Sequence, residues 1–124
     1  MDTVTAMMER EIPWSDPTLE ASLPALLESG VDVVVQAAWI PRRDPDPRGT
    51  ALGKVRRIRN MVRQSQGRAA VVTGPEQLEQ VVREGRLAVV IALEGGTALT
   101  EGEETLRELA DLGLSMVGLT WTES

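Results

Sequence analysis

Five apolar residues, Val89 to Leu93, run straight into Glu94, which is followed by Gly95 and Gly96. A carboxylate at the end of such a run sits at the edge of a low-dielectric core, where an unpaired charge is costly and a cation or hydrogen-bond donors must compensate it. Two chemistries meet that need: Glu94 holds a cation, or it caps backbone amides in a tight turn. The two glycines let the backbone bend sharply and leave space beside the carboxylate, which suits either. Asp2 is a second acidic candidate, although terminal residues seldom build a site on their own. Of the tryptophans Trp14, Trp39 and Trp121, the last two follow or end apolar runs and are candidates for the walls of a small-molecule pocket.

Composition narrows the chemistry further. The 124-residue chain has no histidine and no cysteine, so its own side chains offer neither the commonest general base nor the usual zinc ligands and disulfides. Catalysis by this chain alone would rest on carboxylates, hydroxyls, lysine or arginine. A net charge of −6 argues against a general affinity for nucleic acid, which needs a clustered positive surface. The basic series Lys54, Arg56, Arg57, Arg59 and Arg63 is interleaved with apolar residues at helical spacing and reads as a solvated outer helix face. Gly74-Pro75-Glu76 and Glu94-Gly95-Gly96 lack the spacing of a phosphate-binding loop. No apolar run approaches the roughly 18 residues of a membrane span, and no export leader is evident. The expectation is a soluble, cytoplasmic protein of one domain.

These residues need elements to position them. Val31–Ile40, Ala69–Thr73, Leu87–Leu93 and Leu114–Thr120 are Val-rich and apolar on both faces, the pattern of strands in a parallel sheet. Helices are predicted between them. Ser22 caps the first, with Pro24 in its opening turn and Gly30 at its end; Leu52, Val55, Ile58 and Met61 or Val62 mark the second. Gly74-Pro75 opens the third, through Leu78, Val81 and Val82 to Gly85. Thr100 and Glu103 have capping-box spacing ahead of the fourth, which ends at Gly113. With Met1–Thr5 as a possible strand remnant, this is a series of βα units wound around a parallel sheet. The carboxyl ends of such strands share one rim, where ligands bind in open α/β sheets and in barrels. Trp39, Thr73, Glu94 and Trp121 are expected there, joined by Asp2 if the front stub is a strand. The loop Pro41–Gly49 leaves the same rim and exceeds the usual length of a βα connection.

Several blocks together, Leu23–Trp39, Val71–Thr73, Glu84–Leu99 and Leu109–Trp121, resemble the membrane dipeptidase (renal dipeptidase) family of zinc metallopeptidases, in the right order and over nearly the whole chain. The resemblance implies an amidohydrolase-like (β/α)8 barrel with two zinc ions that hydrolyses dipeptides by attack of a metal-held hydroxide. It makes Glu94 the glutamate that bridges the two metals, and Asp2 the aspartate of the His-x-Asp motif at the end of the first strand. It puts Trp121 where some members carry a substrate-contacting histidine; Trp39 stays a candidate substrate-binding wall.

The chain departs from that pattern in its ligands. The histidine of the first motif would precede Met1, and the family's other histidines and its catalytic aspartate belong to later strands, after Ser124. Two carboxylates do not make a two-zinc site. The expectation is therefore about half of a TIM barrel, residues 1–124 forming one incomplete domain: the N-terminal half of a zinc-dependent dipeptidase, inactive alone. The alternative is a non-catalytic α/β binding domain of the same fold. Either way the open strand edges imply self-association, or pairing with a complementing C-terminal half.

Overall fold

The computed structural model describes residues 2–118. Its elements are α1 (Thr3–Arg10), α2 (Leu23–Glu28), β1 (Val33–Trp39), α3 (Pro47–Arg63), β2 (Ala69–Val71), α4 (Pro75–Arg83), β3 (Leu87–Glu94), a 3-10 turn (Thr97–Glu101), α5 (Glu103–Asp111) and β4 (Leu114–Gly118). All strand pairs are parallel. The α/β class and the parallel sheet expected from the Val-rich runs are what is found.

β3 is the centre of the sheet. Along one edge it pairs with the whole of β1, from Val33 opposite Ala88 to Trp39 opposite Glu94. Its other edge is shared end to end: β2 takes Leu87 to Val89, and β4 takes Ile91 to Glu94. Gly113 stands at that junction, with φ +105, and an added Cβ would crowd the Val71 side chain and the Arg59 guanidinium at 3.2 Å each.

The two faces of β3 are covered differently. Leu87, Val89, Ile91 and Leu93 are buried in the main core, with Val4 and Met7 of α1, Val55, Ile58 and Met61 of α3 and Leu109 of α5. The alternate residues face the other way, as strand periodicity requires. Ala88 and Val90 lie in a second cluster with Val72 and with Leu78, Val81 and Val82 of α4. Beyond α4 that second face is open: Val35, Trp39 and Met116 are all more than a third exposed. The expectation of strands covered on both sides therefore holds only for the part of β3 beneath α4.

Side-chain caps explain two of the helix starts. The Ser22 hydroxyl accepts from the Ala25 amide at 3.3 Å, and Gly30 follows α2 with φ +78. At α3, Asp46 accepts from the Gly49 amide at 3.1 Å, with Pro47 in the first turn. A side chain on Gly49 would collide with that carboxylate. The loop after β1 is thus shorter than expected, because Pro47 begins a helix.

Two expectations fail. Residues Thr3–Thr5 open α1 and are not part of a strand. Their β-branched types suit a strand, but Val4 and Met7, spaced three apart, bury a helical face against the core, and packing outweighs propensity. Nor is there a capping box: Thr100 donates to the Thr97 carbonyl within the 3-10 turn, and α5 starts after Gly102, whose φ of +125 suits glycine.

Candidate functional site

Glu94 is the last residue of β3, and both neighbouring strands fix its backbone. Its carbonyl accepts from the Ile40 amide at 3.1 Å, and the next amide, Gly95, donates to the Gly118 carbonyl at 2.8 Å. Gly95 has φ +108, and a Cβ there would press on the Ile40 carbonyl at 3.3 Å. The first glycine therefore serves a left-handed turn in close contact with β1. The 3-10 turn that follows has no side-chain cap. The Glu94 side chain is half-buried on the open face of the sheet.

Trp39 ends β1 directly opposite Glu94. In a parallel pair, opposed residues project from the same face, so the indole and the carboxylate share the open face. Trp39 is 39% exposed, as a pocket wall would be. Trp14, in contrast, is buried, and its indole donates to the Ala21 carbonyl at 2.9 Å.

Asp2 connects to the end of β1 by another route. It precedes α1, is exposed, and makes no side-chain bond to the helix's free amides. Its carboxylate accepts from the Thr5 hydroxyl at 2.8 Å. The Thr5 oxygen accepts from Lys54 Nζ at 2.8 Å, and Lys54 also donates to the Trp39 carbonyl at 2.7 Å. Asp2 is thereby linked, through two side chains, to the end of β1 opposite Glu94.

Lys54 is the residue that the sequence reading misplaced. Expected on the solvated basic face, it is only 8% exposed, with its ammonium 5.4 Å from the centre of the Trp39 ring. Two hydrogen bonds and an indole face compensate the desolvation of the charge. The signal was present: Lys54, Ile58 and Met61 lie at i, i+4 and i+7 on the buried stripe of α3. Arg56, Arg59 and Arg63 do face outward.

The other expected rim residues fare differently. Val71, at the end of β2, is level with Val89, five residues before Glu94. At about 3.3 Å per residue that strand stops roughly 16 Å short, and Thr73 beyond it is exposed and bonded to Gln77. Trp121 lies outside the described residues.

The family model of the membrane dipeptidases, peptidase family M19, matches residues 2–124. The chain belongs to this family. Among solved structures it is similar to the dipeptidase AC, an M19 metallopeptidase, with a TM-score of 0.83 at 20% identity, over 98% of this chain and 41% of that one. It is also similar to a metallopeptidase from Rhodobacter sphaeroides, solved with a phosphinate mimic of the dipeptide L-Ala-D-Ala, with a TM-score of 0.84 at 17% identity, over 99% and 44%. An amidohydrolase from Pseudomonas aeruginosa shares the fold more distantly, with a TM-score of 0.69 at 9% identity, over 82% and 30%. No curated protein matches the chain. The chain spans about two fifths of the length of the first two structures, and its fold is part of the M19 barrel.

Membership of a metallopeptidase family implies metal use. Zinc takes four ligands, mostly nitrogen or sulfur. Among the described residues no three of His, Cys, Asp or Glu come together, and the chain has no histidine or cysteine at all. The donors of this chain therefore do not by themselves fit a zinc centre. No helix among the described residues is long and apolar enough to cross a membrane.

Proposed function

We propose that this chain supplies the first part of the active site of a metal-dependent dipeptidase. In this reading Glu94 and Asp2 are metal ligands, Trp39 and Trp121 border the dipeptide, and the nitrogen ligands come from residues outside this chain. Zinc is the metal this reading names, and the isolated chain has negligible activity. The observation that carries the proposal is the rim itself: Glu94 is pinned between β1 and β4 with its carboxylate on an open sheet face, opposite Trp39 and tied to the Asp2 arm.

The test is a chimera in which residues 2–118 replace the corresponding segment of the Rhodobacter sphaeroides peptidase, assayed on L-Ala-D-Ala with zinc. Hydrolysis is expected, and Glu94→Gln should lower it by more than the roughly 10- to 100-fold typical of residues that only support a metal ligand. Turnover that survives Glu94→Gln overturns the proposal.

A second reading, a non-catalytic domain that associates with a second copy, is favoured by the exposed Val33, Val35, Trp39, Met116 and Val117. Exposed apolar surface beside unpaired strand edges drives association. The isolated chain should elute larger than a monomer at high concentration, and a sharp monomer peak contradicts this reading.

A further inference from the structure

We propose that Lys54 is a positioning residue: it locks the start of α1, with Asp2, onto the end of β1 opposite Glu94. The proposal rests on the reading of Asp2 and Glu94 as partners in one site. Lys54 adds to that reading what sets their relation.

The chemistry of the relay fixes its direction. An ammonium has donors and no acceptor, so the Thr5 oxygen must accept from Lys54 at 2.8 Å. The single hydroxyl proton of Thr5 is then free to go to Asp2, which takes it at 2.8 Å. The other anchor is the Trp39 carbonyl, at 2.7 Å. That carbonyl is main chain, and the next amide, Ile40, is bonded to the Glu94 carbonyl. One buried ammonium thus joins three elements, α1, α3 and β1, at the level of Glu94. Because Asp2 caps no helix amide, the Thr5 hydroxyl is what directs its carboxylate. With Lys54 replaced by a residue lacking donors, Thr5 loses its fixed orientation and α1 loses its polar tie to β1.

The absence of cysteine lets two nitroxide labels be placed singly, at Met8→Cys on α1 and Thr100→Cys in the 3-10 turn, both exposed. Electron-electron double resonance then reads how firmly α1 is set against the rim. The otherwise unaltered chain should give one narrow distance distribution. Lys54→Met, which keeps the buried stem but not the donors, should at least double its width. Thr5→Val, nearly isosteric, should broaden it less, since Lys54 keeps its bond to β1. Lys54→Arg, another residue with donors only, should restore a narrow distribution. If Lys54→Met and Thr5→Val leave the width unchanged, the proposal is wrong, whatever their effect on stability. The readout involves neither metal nor turnover, so failure of the dipeptidase reading in the chimera leaves this result separate.

Discussion

The lower and upper halves of β3 carry the same kind of sequence and meet different fates. In the lower half, Ala88 and Val90 lie beneath Leu78, Val81 and Val82 of α4, and both faces of the strand are closed. In the upper half, Ile91 and Leu93 still point into the main core, but Glu94 is half-buried on a face edged by the exposed Trp39 and Met116. The lower half of the strand is held from both sides, and the upper half is anchored chiefly through one face. A strand can do both because its side chains alternate, so stability and site are read from residues one position apart.

That contrast can be broken most forcefully at Ile91, which is fully buried. Ile91→Ala should cost about 2–5 kcal/mol in chemical denaturation, the range for truncating a buried aliphatic side chain. Met116→Ala, on the open face and 50% exposed, should cost under about 1 kcal/mol. Equal losses at the two positions would mean that the open face is in fact packed.

The closed face has one flaw that sharpens the comparison. Gln36 in β1 is fully buried, and neither polar atom of its side chain has a hydrogen-bond partner. An unsatisfied buried polar group costs about 1–3 kcal/mol, and an apolar side chain of similar size removes that cost. Gln36→Leu should therefore raise stability by an amount in that range, read from the denaturation midpoint. A fall in stability would show that the amide is paired in solution.

Much of this was legible in the sequence, for identifiable reasons. Val-rich runs bounded by glycine or proline read as strands, so the parallel sheet followed, as did Glu94 at a strand end. How much of the sheet's second face is covered was not legible, because the residue types of Val33, Val35 and Val90 do not say where α4 ends. The strand assigned to Met1–Thr5 failed where β-branched residues were read by type and the helical spacing of Val4 and Met7 decided the outcome. Lys54 was missed because its charge was weighed ahead of its place on the buried stripe of α3. A lysine on an apolar stripe is a question about its partners, and here the partners are Thr5 and the end of β1.

The central claim is that the Asp2 and Glu94 carboxylates belong to one rim and attract a divalent cation together. Titrating the isotopically labelled chain with Mn²⁺ and mapping paramagnetic broadening of its amide resonances tests this without any need for turnover. Broadening is expected to centre on Ile40, Gly95, Gly96 and Thr3 and to be sharply reduced by Glu94→Gln. Broadening centred instead on the carboxylates of α4, or unchanged by Glu94→Gln, would contradict it.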